Sequence, residues 1–222
     1  MRPTFLIRLA AACLAMAPLL ASADDSAKPC AAPDTGYTIE RSVRGPIGKP
    51  DAVDACIDVL SAKTDPDAGR RLRIYTGDKL ALASDDIILC KQCGGVYGDP
   101  FETLEIKRGS LIAGNYGGSR DKWGDKWVLT QREGRWIVAG WDILSADTMT
   151  GMTQTQSVNA LSGEIRNDYI PPQEPEPGDT HSKRPSHRAC TLPAEWRSPP
   201  VEQIGKLRER NWECGAKLAR PN

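Results

Sequence analysis

Lys126-Trp-Val-Leu-Thr-Gln-Arg-Glu-Gly-Arg-Trp-Ile-Val-Ala-Gly-Trp-Asp142 decides the fold class. Two short runs, 126–132 and 135–142, flank Glu133-Gly134, a pair suited to the positive φ angles of a tight hairpin turn. Trp127 and Leu129 fall on one face of the first run, and Ile137, Ala139 and Trp141 on one face of the second. That period of two is the signature of paired strands with one buried side.

The same grammar extends outward. Arg108-Gly109 joins runs 101–107 and 110–116, and upstream runs 71–75, 79–83 and 86–90 are separated by Gly77-Asp78 and Ser84-Asp85. Downstream, Gly151 and Gly163 mark turns before 152–158 and 164–170. The expected fold is mainly β, an antiparallel meander sheet or sandwich, with a disulfide-stapled β domain over 24–170. Two helices are expected beside it. A short N-terminal one over 52–62 places Val53, Cys56, Ile57 and Leu60 on one helical face. A C-terminal helical tail starts at Pro199-Pro200, with Val201, Ile204, Leu207, Asn211 and Leu218 along a narrow stripe. Five prolines and no large apolar residue in 171–188 predict a solvated linker, leaving 189–222 as a helical C-terminal appendage.

At the other end, Arg2 and Arg8 flank the start of an apolar stretch, 6–20, that leads into Ala21-Ser22-Ala23 and then Asp24-Asp25. A basic start, a short apolar run and a small-x-small site predict a signal peptide over 1–23 and a periplasmic or secreted mature protein. No later apolar run approaches the ~20 residues of a spanning helix. The whole chain has 222 residues, with 29 Lys+Arg against 29 Asp+Glu. Cleavage removes two arginines and no acid, so the mature chain is close to neutral. Without a clustered basic excess there is no electrostatic case for nucleic-acid binding.

Cys13 leaves with the signal, and Cys30, Cys56, Cys90, Cys93, Cys190 and Cys214 remain. In an oxidising compartment an even number favours disulfides, although six cysteines allow about 15 pairings among which spacing does not choose. Local pairing would join Cys30 with Cys56, Cys90 with Cys93, and Cys190 with Cys214. Cys90-Lys-Gln-Cys93 does not read as a thioredoxin-like motif, because it follows a strand and runs into Gly94-Gly95 where a helix would be needed. A zinc site lacks a second cysteine pair, and His181 and His187 both fall in the proline-rich stretch. No metal or cofactor is expected.

Nucleophile elbows, HExxH and phosphate-binding glycine loops are absent from the sequence. The rival to a binding protein is an exported hydrolase using acids at strand ends, drawn from Asp85, Asp86, Asp99, Asp121, Asp125 and Asp142. Aspartate is also the ordinary turn residue at such places, so no catalytic residue is assigned. The sharper feature is the connection 115–127, which interleaves Tyr116, Ser119, Arg120, Lys122 and Trp123 with glycines. Aromatic and cationic side chains of this kind give much contact at little conformational cost. These five residues are the expected binding surface, and another envelope protein is the expected partner, in one version a cell-wall hydrolase that the protein inhibits or confers immunity against.

Cys93-Gly-Gly-Val-Tyr-Gly-Asp-Pro-Phe101, the hairpin 104–111, Tyr116-Gly-Gly-Ser119 with Trp123, Gly134-Arg-Trp136 and the turns at Gly151 and Gly163 carry a further signal. Together they resemble a family of uncharacterised exported bacterial proteins with a CGGVxGDPF…YGGS β domain. The likeness spans the middle of the chain and stops before residue 171. It implies an envelope-resident β domain and brings no catalytic residues.

Overall fold

The structure, a computed structural model, describes residues 27–49, 52–173 and 184–214. The expected signal peptide and most of the expected linker lie outside the described residues. Eleven strands form two antiparallel sheets. The first contains β1 (Tyr37–Pro46), β2 (Asp54–Ala62), β3 (Arg70–Thr76) and β4 (Lys79–Ile88) in sequence order. The second contains β5 (Phe101–Lys107), β6 (Ser110–Gly118), β7 (Asp121–Arg132), β8 (Arg135–Asp147), β9 (Thr153–Asn159), β10 (Glu164–Ile170) and β11 (Ser186–Thr191), again each beside its sequence neighbour. The connections are hairpins throughout, and Arg108-Gly109 and Glu133-Gly134 both adopt the positive φ angles their turns require.

One core serves both sheets. Ile57, Val59, Leu72 and Ile74 from the first meet Leu104, Leu111, Trp127 and Leu129 from the second in a single buried cluster. Edge strands close the seam, β1 lying near β5 and β4 near β6.

The N-terminal helix expected over 52–62 is instead β2. This strand is central and covered on both sides: Ala55, Ile57 and Val59 enter the core, while Cys56 and Asp58 on the other face meet the segment around Cys30. There Cys56 is bonded to Cys30, and the fully buried Asp58 carboxylate accepts from the backbone N–H groups of Cys30 and Ala31 and from the Ser42 hydroxyl at 2.7 Å. A strand buried on both faces loses its alternation, and what remains imitates helical spacing. Val53, expected on the helix's apolar face, is largely exposed.

A second difference lies in β8. Val128 pairs with Gly140 and Leu129 with Val138, so Ala139 is an extra residue that reverses the alternation. Trp136, Val138 and Trp141 therefore face the core, whereas Ile137 turns to the tail and bridges Pro200.

The tail joins the same core. Residues 186–188, assigned to the linker by composition, belong to β11, which pairs with β10. The helix is shorter than expected: a 3₁₀ turn at Val201–Gln203 leads into α1, Ile204–Arg208. Beyond it the chain extends, because Trp212 donates its N–H to the Gln156 side chain at 3.1 Å and Asn167 bonds the Trp212 carbonyl. Trp212 completes a buried stack: its ring lies 5.0 Å from Trp141 and 5.5 Å from Trp196, and Trp141 lies 6.0 Å from Trp127. Leu218 lies outside the described residues.

The three disulfides are the local ones, Cys30–Cys56, Cys90–Cys93 and Cys190–Cys214. Closing the two long loops restricts the unfolded chain by about 3 to 4 kcal/mol each in the chain-entropy model. No helix among the described residues is long and apolar enough to cross a membrane.

Candidate functional site

The connection expected between two hairpins is itself a hairpin. β6 continues to Gly118 and β7 begins at Asp121, with Gly117 opposite Trp123 and Gly118 opposite Lys122, so only Ser119 and Arg120 form the turn. Alternation then parts the expected site residues. Tyr116 and Lys122 point to the outer face of the long sheet. Trp123 points to the opposite face, where its ring crosses Gly117.

The loop after the Cys90–Cys93 disulfide completes this end of the sheet. Gly94 accepts from the Gly118 N–H at 2.8 Å, and Pro100 from the Tyr116 N–H at 2.8 Å, so residues 94–100 run along β6 where β5 has not yet begun. Gly94 and Gly98 exchange a backbone bond that folds the intervening residues into a 3₁₀ turn, Gly95–Tyr97. The approach is close. A Cβ on Gly117 would stand 2.7 Å from the Trp123 ring, 2.8 Å from Gly94 Cα and 2.9 Å from its carbonyl oxygen. The glycines of the two motifs are thus where one backbone lies against another.

Val96 and Tyr97 crown this turn at 84% and 57% exposure. The Tyr97 ring meets Tyr116 edge-on at 5.6 Å, and the Lys122 ammonium sits over it at 3.8 Å. An aromatic and cationic ridge of Val96, Tyr97, Tyr116 and Lys122 results. Beneath it, the buried Arg70 guanidinium donates to Glu40 and Asp99, each at 2.5 Å, and to the Leu89 carbonyl at 2.7 Å. Burial pushes the Glu40 carboxyl up, but Lys91 and Arg70 more than offset it and hold the group below its ordinary value.

No family model, curated protein or solved structure matches the chain. The reading of this site therefore rests on its own geometry.

Of the expected surface, Tyr116 and Lys122 come together. Arg120 is turned away from them, forking onto Asp147 at 3.0 and 2.6 Å. That guanidinium, with the Met149 and Thr150 amides, holds the Asp147 carboxyl far below the usual carboxylate range. Ser119 is exposed at the turn, and its backbone N–H donates to Asp121. Trp123 supports the loop from the other face. Sequence reasoning missed Val96 and Tyr97, although two large side chains between glycines, directly after a tight CxxC loop, had little core to enter.

The acids of the hydrolase alternative are dispersed, and several are engaged. Asp85 pairs with Arg71, Asp99 with Arg70, Asp125 with Arg208 and Asp142 with Lys126. Asp86 and Asp121 are exposed. His187 stands on β11, not in a linker, and pairs with Asp168, whose other cross-strand neighbour is Thr155. The carboxylate lies between imidazole and hydroxyl, which is the wrong order for a base-activated nucleophile. His181 lies outside the described residues. The one group of potential metal ligands among the described residues is Cys30, Cys56 and Asp58. Both sulfurs there form a disulfide, and the carboxylate is filled by its own donors.

Proposed function

We propose that this is a non-catalytic binding protein of the bacterial periplasm, engaging another envelope protein through the ridge of Val96, Tyr97, Tyr116 and Lys122. The observation that carries the reading is the exposure of two large side chains on a backbone fixed by a disulfide and by glycine-to-glycine contacts. Rigid aromatic anchors lose little entropy on binding, and such residues dominate interface energies. The resemblance to exported bacterial proteins with the CGGVxGDPF and YGGS motifs supports the compartment, because those motifs build the ridge. An inhibitor of, or immunity protein against, a cell-wall hydrolase is the specific form of this reading, the ridge entering the cleft in place of Arg120.

The test is a pull-down from periplasmic extract with the mature protein and a triple variant, Val96→Ala, Tyr97→Ala and Lys122→Ala. Exposed changes usually alter stability by less than about 0.5 kcal/mol each, whereas losing an interface anchor costs about 2 kcal/mol or more. The variant should melt near the parent temperature and lose a partner that an Arg135→Ala control retains. A partner captured equally by all three proteins would place the interface elsewhere.

A further inference from the structure

Beyond Tyr116, on the outer face of the long sheet, the surface sinks into a trough of about 310 Å³. Its floor is apolar. The Tyr116 ring lies across Gly124, where a Cβ would stand 3.2 Å from a ring carbon, and Leu144 flanks the same glycine on the next strand. Its wall is polar: the Asp142 carboxylate accepts from the Lys126 ammonium at 2.8 Å and from the Ser157 hydroxyl at 2.7 Å. Lys126 and Asp142 both remain about half exposed, so their unused donor and acceptor positions face the trough.

This lining selects by exclusion. Lys126 and Asp142 neutralise each other and Glu102 adds a negative charge at the border, which disfavours phosphate and carboxylate ligands. A wholly apolar ligand would strip water from a charged pair and give nothing back. The complementary ligand is uncharged, flat and apolar on one face, and carries hydroxyl groups around its edge.

We propose that the trough binds one pyranose ring of a neutral saccharide. Its C–H face rests on Tyr116 and Leu144, and its hydroxyls donate to Asp142 and accept from Lys126 and Ser157, charge-assisted bonds that are stronger than neutral ones. The site is separate from the Val96 and Tyr97 tip, so loss of a protein partner in the triple variant neither supports nor weakens it.

The experiment titrates the ¹⁵N-labelled mature protein with triacetylchitotriose and, separately, with maltotriose. At least one should shift the amides of Gly124, Lys126, Leu144 and Ser157 with saturation on the order of millimolar, the range expected for a shallow single-ring site. Asp142→Ala and Tyr116→Ala should each weaken binding about tenfold or more, while a preserved Trp127 indole resonance shows that the core is intact. Should Tyr116→Ala unfold, Asp142→Ala decides alone, since it alters only a surface ion pair. The proposal is overturned if neither saccharide moves these amides up to about 50 mM, if the shifts cluster elsewhere, or if Asp142→Ala binds like the parent.

Discussion

Gly117→Ala probes whether the two glycine motifs act as one built surface. The position has no positive φ, so alanine is free to adopt the backbone and the effect is purely steric. Its Cβ would meet the Trp123 ring at 2.7 Å, Gly94 Cα at 2.8 Å and the Gly94 oxygen at 2.9 Å. Overpacking of this kind costs about 1 to 3 kcal/mol. Two of the three obstructing atoms are backbone, which cannot rotate away, so the cost falls in the upper half of that range. Alanine also lowers the entropy of the unfolded chain, which returns about 0.4 to 1 kcal/mol. A net loss of about 2 kcal/mol follows, read as a lowered urea midpoint at unchanged m-value. On the same strand, a Cβ at Gly114 meets its nearest atoms only at 3.4 Å, and Gly114→Ala should change stability by less than about 1 kcal/mol. Because the loop must lift off β6 to admit the methyl group, Gly117→Ala should also weaken partner capture without touching an exposed side chain. Equal stability of the two variants would refute the close approach of residues 94 and 117 on which the ridge depends.

Two further outcomes are expected. Trp212→Ala removes a fully buried ring from the stack of Trp141 and Trp196 and should destabilise the whole β core by about 3 to 5 kcal/mol in one cooperative transition; a separate, early tail transition would show that the tail is an independent unit. Glu40, held below its ordinary pKa by Lys91 and Arg70, contributes stability that is complete above the unfolded carboxylate value of about 4.3 and is lost as pH falls through its lower folded value. Urea midpoints should decline from about pH 5 downward, and Glu40→Gln should make that decline shallower; an identical pH profile in the variant would rule Glu40 out as the cause.

The turns were legible because their chemistry is local. Arg108-Gly109, Glu133-Gly134, Gly151 and Gly163 sit where positive φ is needed, and strand β10 begins and ends where the alternation does. β2 was not legible, because its outer face is covered by a segment more than twenty residues away, held by Cys30 and by hydrogen bonds to Asp58. Only that cover makes an unbroken apolar run compatible with a strand. The bulge at Ala139 escaped for a similar reason: the reversal satisfies the tail, which hydrogen-bonds Val138 through Pro199 and bridges Ile137 through Pro200.

The candidate site divides along the same line. Residue types suited to binding, and the hairpin that presents Tyr116 and Lys122, follow from the sequence itself, since composition and period-two alternation are properties of one short segment. That Tyr97 and Val96 join them, that Arg120 is spent on Asp147 and that Trp123 faces inward were decided by tertiary structure. Each depends on which backbone lies beside β6 beyond Asn115, and glycines, having no side chain, leave no hydrophobic pattern to announce such an approach.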